Sequence, residues 1–239
     1  ISTQPIQEKV DSMIVGAPTD WDKLNRIFSF VSKDIRNVAW SFCVHGYKPY
    51  NADTIFTRKF GDCKDKSTMV NVMARDLGYD AWPVLLEATD PNDAVAGRGT
   101  EDFALPILAH FNHCISRVET DQGPIYLDPT IAYRTPTGIH YTNAGARAVV
   151  VRPTGAEMIQ LPPNQPTDNL WDDIIRLELD EQGNANLESE LRASGNVALY
   201  LRAYFGRPGT ESYVFHRVAN RHYGSASAVD AKFRDNEKD

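Results

Sequence analysis

Seven residues, Gly61-Asp62-Cys63-Lys64-Asp65-Lys66-Ser67, constrain this chain more than any other stretch. They follow the basic, aromatic segment Phe56-Thr57-Arg58-Lys59-Phe60 and open an apolar periodicity in which Met69, Val70, Met73 and Leu77 recur at three- and four-residue spacing. That spacing predicts one face of a helix, and Gly78 supplies its stop. Asp62 is suited to cap the start, which puts Cys63 in or beside the first turn. There the unpaired N–H groups and the positive end of the helix dipole favour thiolate over thiol. Lys64 and Lys66 add positive charge nearby, partly opposed by Asp62 and Asp65. The same N–H groups are placed to stabilise an oxyanion on a carbonyl attacked by the sulfur. A cysteine without partners is more often a small core residue, so a chemical role for Cys63 depends on what the rest of the chain brings to it.

Composition narrows the classes. A chain of 239 residues has room for one large domain or two smaller ones. Acidic residues outnumber basic ones, 32 to 25, and no basic run is longer than Arg58-Lys59, which disfavours nucleic acid and anionic membranes as partners. No apolar run approaches the length that spans a bilayer. Three cysteines, Cys43, Cys63 and Cys114, are too few and too scattered for a disulfide framework; a single Cys43–Cys114 bridge stays open. The chain begins at Ile1 without a signal-peptide pattern and ends on a charged tail, and it reads as a mature or excised piece of a longer product.

Along the chain, Thr19-Asp20-Trp21-Asp22 forms a capping box ahead of an apolar stripe through Leu24, Ile27, Phe28, Val31 and Ile35, the first clear helix. A turn-rich aromatic segment, 40–51, and a short helix over 52–60 lead to the cysteine. Residues 80–88 predict a buried strand; Pro83 either weakens that reading or places the strand at a sheet edge. The polar stretch 89–102 is either a functional lid or a surface excursion. Residues 111–119 and 124–128 flank the turn Thr120-Asp121-Gln122-Gly123, a β-hairpin. A further strand is expected over 147–152. Residues 153–168, dense in proline and polar residues, are the best linker candidate. Beyond them Ile175, Leu177 and Leu179 alternate with charged residues, a half-buried strand that returns over 185–193. Residues 196–205 and 210–222 predict helices.

A nucleophilic cysteine needs a histidine to take its proton and a third group to orient that histidine. His113 lies on the outgoing strand of the hairpin and Asp128 at the end of the returning one. Hairpin geometry brings the two within a residue or two of register. Asp128 can then accept from one imidazole nitrogen and leave the other for the sulfur. Each taken alone has a plainer reading, a strand histidine and an Asp-Pro turn; with a helix-start cysteine the plainer reading becomes the weaker one. A metal site built from His110 and His113 with Cys63 or Asp128 is disfavoured, because three-residue spacing suits a helix and no fourth ligand is evident. His140, His216 and His222 read as surface or packing residues, and Cys114 points away from the face His113 uses.

The segment from Trp40 through residues 61–67 to Leu86, then Phe111-Asn112-His113 and Tyr126-Leu127-Asp128-Pro129-Thr130, resembles the bacterial transglutaminase-like superfamily over residues 20–152. The resemblance implies an α+β, papain-like core of helices packed on an antiparallel sheet, with Cys63 as nucleophile, His113 as base and Asp128 orienting it. It implies no cofactor, no metal and a peptide or protein substrate. It also implies a core over 1–160 followed by a smaller β-rich α+β module over 161–239, truncated at its end, in a multidomain protein that is periplasmic or otherwise exported. Residues 54–60 lack the glutamine that papain relatives use as an oxyanion donor; Trp40, Tyr47 and Tyr50 are the candidate replacements. Two functions remain: thiol-dependent acyl transfer (cysteine peptidase, amidase or transglutaminase), with hydrolysis preferred, and an inactive binding or assembly module.

Overall fold

A computed structural model describes residues 1–39, 43–89, 108–133 and 139–205, and near the C-terminus 209, 213, 215–217, 219, 220, 230 and 232–235. The chain divides into two compact units, one of Ile1–Arg134 with Ile139–Asn164, the other of Thr135–Gly138 with Gln165–Asp239.

The first unit opens with α1 (Gln4–Ile14) and α2 (Asp20–Asp34). The sequence reading passed over α1: its buried residues are only Ile6 and Val10, too thin a stripe to register against its polar neighbours. The reciprocal Thr19–Asp22 capping box starts α2, and Leu24, Ile27, Phe28, Phe30 and Val31 are buried along it. Then come β1 (Arg36–Asn37), α3 (Ala52–Arg58), β2 (Phe60–Gly61) and α4 (Cys63–Asp76). Lys59 ends α3 in the left-handed conformation, φ 57°, and β1 pairs in parallel with β2. Helix α4 is buried along most of its length, from Asp65 to Ala74, because α1, α2, α3 and the sheet all pack against it. The core between helices and sheet joins Leu24, Ile27, Val31, Met69, Val70, Met73, Ala81, Val118 and Leu127.

The sheet is formed by β3 (Ala81–Leu86), β4 (His113–Thr120), β5 (Gly123–Leu127), β6 (Arg147–Arg152) and β7 (Gly155–Gln160), in the order β5-β4-β3-β6-β7. Every pairing in it is antiparallel. Two expectations are corrected here. Strand β3 is central, not an edge; Pro83 is tolerated because the ladder to β6 begins only at Val84, so no bond on that side needs a proline N–H. Part of the proline-rich linker candidate is instead the edge strand β7. Only Ile159 of that strand is better than exposed, too little one-sided burial to show as alternation. The other face of the sheet carries Val84, Leu86, Ile115, Ala148 and Val150, closed over by Ala146 and Leu161.

The second unit holds β8 (Leu170–Leu179), β9 (Ala185–Ser194) and α5 (Gly195–Phe205). β8 and β9 form the expected hairpin, with Leu177 opposite Leu187. The expected half-burial is not found: Ile175, Leu177 and Leu179 are 45%, 49% and 68% exposed, since a two-stranded sheet has little to bury a face against. Of the expected helix over 210–222, residues 213, 215–217, 219 and 220 are described and are helical, while most of the 89–102 stretch lies outside the described residues.

Candidate active site

Helix α4 begins as its sequence dictates. The Asp62 carboxylate accepts from Asp65 N at 3.3 Å and pairs with the Lys64 ammonium, while Asp62 O takes the first helical bond, from Lys66 N. Cys63 is therefore the first helical residue, partly exposed, its N–H among those with no acceptor inside the helix. Behind it, Asp65 is buried to 1% exposure. Its carboxylate accepts from Arg58 at 2.6 Å and from Tyr50 N at 2.9 Å. Arg58 also lies over the rings of Tyr50 and Phe60, at 3.9 and 4.7 Å. Gly61 makes room for this: a Cβ there would come within 2.6 Å of the Asp65 side chain. The buried ion pair thus ties the segment ending at Tyr50 to the helix that carries the cysteine.

Two reciprocal hydrogen bonds dock α4 on β4: Ser67 Oγ donates to Cys114 O at 2.9 Å, and Ser116 Oγ donates to Ser67 O at 3.1 Å. Cys63 lies one helical turn upstream of Ser67 and His113 one residue before Cys114, so the docking brings thiol and imidazole to the same end of the sheet. The hairpin register pairs Ser116 with Leu127, which makes Asp128 and His113 diagonal neighbours on one face. His113 Nε2 meets Asp128 Oδ2 at 2.7 Å, leaving Nδ1 for the Cys63 sulfur, which is within hydrogen-bonding reach of the ring. Burial alone would push the imidazole down; the bond to Asp128, the sulfur and both their charges outweigh it and lift the ring to about 10.

Asp128 is saturated with donors. Thr130 N and Thr130 Oγ1 give to Oδ1 at 3.1 and 2.6 Å, and Asn143 Nδ2 gives to Oδ2 at 2.7 Å. Burial would raise this carboxyl, but His113, Thr130 and Asn143 hold it below its ordinary value. Upstream of the histidine, Asn112 fastens the strand entry by exchanging two bonds with the Ala88 backbone, at 2.7 and 2.9 Å.

The sequence profile of the transglutaminase-like superfamily matches residues 7–129. The chain belongs to that superfamily. Among solved structures, a candidate protease from Parabacteroides distasonis shares its fold at TM-score 0.50 and 16% identity, over 67% of this chain and 28% of that one. A candidate cysteine protease from Cytophaga hutchinsonii is similar at TM-score 0.42 and 13% identity, over 80% of this chain and 50% of that one. This chain therefore spans half or less of either. No curated protein matches it.

In this member of the superfamily, Cys63, His113 and Asp128 come together. Trp40 lies outside the described residues. Tyr47 is 75% exposed, and the ring of Tyr50 is stacked on His45 at 3.6 Å and under Arg58. All three cysteines are free, so the open Cys43–Cys114 bridge is not made: Cys43 is exposed and Cys114 buried, with burial pushing its thiol up. Among the described residues no group of three or more His, Cys, Asp or Glu side chains gathers as metal ligands, and no helix is long and apolar enough to cross a membrane. The sequence reading missed Asn143, which is fully buried, and Lys66 as a core residue. His140, read as a surface or packing residue, has a half-buried ring near enough to Asp128 and His113 to feel both charges. Thr130 had a readable signal, a hydroxyl residue two positions after an aspartate. Asn143 had none, since it arrives through a turn, Asn143 N to His140 O, that no periodicity marks.

Proposed function

We propose that this chain carries out thiol-dependent acyl transfer on a peptide or amide substrate, with Cys63 as nucleophile, His113 as base and Asp128 orienting the base. The observation that carries the reading is the imidazole held between the Asp128 carboxylate at 2.7 Å and the Cys63 sulfur. A ring lifted to about 10 holds a proton at neutral pH, so the proton leaving the sulfur rests on Nδ1. The sulfur attacks the carbonyl carbon, and the negative oxygen of the tetrahedral adduct faces the N–H groups at the start of α4. Collapse breaks the C–N bond, the departing amine takes the proton from His113 Nδ1, and a thioester to Cys63 is left. Water then gives a proton to His113 as it attacks the thioester, and the thiol leaves with that proton. Hydrolysis is the proposed outcome, making the chain a cysteine peptidase or amidase. A primary amine in place of water would make it a transglutaminase.

The test is labelling by an acyl-type activity probe across the native chain, Cys63→Ala and His113→Ala. Labelling is expected to vanish in the first variant and to fall by several orders of magnitude in the second. Equal labelling of native chain and His113→Ala would leave a binding or assembly module as the better reading. A fluorescent amine captured faster than water hydrolyses the acyl-enzyme would reassign the acceptor.

A further inference from the structure

Residues 140–145 carry no group of the scheme above, yet their hydrogen bonds run in one direction, toward Asp128. Asn143 N and Ala144 N both donate to His140 O, at 2.9 and 3.0 Å, and close the turn. Thr89 N donates to Thr142 O at 3.1 Å and fastens it to the chain leaving β3.

The proton positions follow from the carboxylate. An ionised Asp128 only accepts, so the Asn143 atom 2.7 Å from Oδ2 is Nδ2, and the amide oxygen faces away. Asn143 is fully buried, and a buried amide oxygen is costly to leave without a donor. Among the described residues its donor is the Thr142 hydroxyl, at 3.3 Å. A hydroxyl has one proton to give. With that proton on the Asn143 side, Thr142 Oγ1 accepts from His140 Nδ1, 2.6 Å away. His140 therefore carries its proton on Nδ1. Burial holds this ring below its ordinary value, so near neutrality Nε2 is bare. The ring of Tyr141 lies against it, centroids 4.2 Å apart. His140, Thr142 and Asn143 thus form an unbroken chain of donors that ends on the oxygen holding His113.

Asp128 does not need this chain to be ionised, since His113 and Thr130 already favour its charge. What the chain adds is direction. An amide has nearly the same shape either way round. Turned over, Asn143 would present its oxygen to Oδ2 and push the carboxylate off the imidazole. The Thr142 hydroxyl opposes that turn, and the His140 N–H keeps the hydroxyl proton pointed at Asn143.

We propose that Thr142 and His140 are positioning residues: their relay fixes the Asn143 amide, and with it the rotation of the Asp128 carboxylate that aims the His113 ring at Cys63. This rests on the acyl-transfer reading above.

The test has two arms, both on the full chain. Long-range proton–nitrogen spectra of 15N-histidine-labelled protein near neutral pH, with His140 assigned by its loss in His140→Asn, are expected to show a protonated Nδ1 and a bare Nε2. A bare Nδ1 overturns the relay. The second arm is the rate at which an acyl-type probe labels Cys63, read by peptide mass spectrometry. Thr142→Val keeps the shape and loses the hydroxyl, and His140→Leu loses the N–H; each is expected to react on the order of tenfold more slowly. Thr142→Ser restores the hydroxyl, and His140→Asn puts an amide nitrogen where Nδ1 stood; both are expected within about twofold of native. Valine and serine variants slowed alike would show a packing role only and overturn the proposal. A native rate in Thr142→Val while His113→Ala is slow overturns it too. An unaltered rate in His113→Ala instead overturns the acyl-transfer reading, and the positioning role falls with it. If Thr142→Val does not fold, the His140 pair decides: leucine and asparagine variants that are equally slow, or equally native, overturn the proposal.

Discussion

Asp128 commits both of its oxygens, and the way it does so sets how firmly the imidazole is held. Oδ1 takes two bonds from Thr130, while Oδ2 is shared between His113 and Asn143. Sharing one oxygen fixes the carboxylate in rotation, so the ring it holds is fixed as well. Asn143 is fully buried, and a bond to a charged group is worth about 1.5–3 kcal/mol. Asn143→Leu is accordingly expected to lower probe labelling of Cys63 roughly ten- to a hundredfold and to shift the acid limb of the labelling profile upward, because Asp128 loses a donor that favours its ionised form. An unchanged acid limb would show that Asn143 only fills space.

At the scale of the element, the N-terminus of α4 does the organising. Three neighbours fix it independently: the Asp62 cap, the Ser67–Cys114–Ser116 exchange with β4, and the Asp65–Arg58 pair that draws in Tyr50. The last of these depends on how closely the chain approaches itself at Gly61. In Gly61→Ala the new methyl would meet Asp65 Cβ at 2.6 Å and Oδ2 at 2.9 Å. Such crowding costs about 1–3 kcal/mol, and here it would push Asp65 off Arg58 and tilt the first turn that carries Cys63. Gly61→Ala should therefore lose both melting temperature and probe labelling. Loss of stability with full labelling would mean that the turn moves without the thiol. The centre of the sheet is similarly tolerant only where it has to be, with Pro83 accommodated one residue before the β6 ladder starts.

For the whole molecule, the buried ionisable groups give stability a pH dependence whose signs oppose one another. His113 is raised from 6.5 to about 10, so its contribution is fully present below pH 6.5 and is lost as pH rises through about 10. Asp128 is lowered from 3.8, so its contribution is present above that value and fades as acid carries the solution through the lower folded value. Lys66 runs the other way. It is depressed from 10.5 to about 8, so its cost is felt below pH 8 and relieved between 8 and 10.5. Urea unfolding of the native chain between neutrality and mild alkali should thus show a flatter fall than His113 alone would give. Lys66→Met should steepen that fall and gain stability near neutrality; a loss there would mean that the Ser32 contact outweighs the cost of enclosing the charge.

Much of this was legible in the sequence because it is local. The Thr19–Asp22 box, the Asp62 cap, the apolar face of α4 and the Thr120–Gly123 turn are set by residues within a few positions of one another, and hairpin geometry carried His113 to Asp128. Short elements without a pattern were not legible: α1 has a stripe of two buried residues, and β7 is an edge strand that buries almost nothing. The same holds for Asn143 and Lys66. Nothing beside an asparagine in a turn announces that its amide will end 2.7 Å from a carboxylate fifteen residues away. Nothing beside a lysine on a charged helix start announces that α2 will close over it. The sequence by itself determined which residues start helices, turn hairpins and carry reactive groups, since those depend on backbone chemistry at short range. Tertiary packing alone decided which polar side chains left water, since desolvation is a property of everything that gathers around a group and not of its neighbours along the chain.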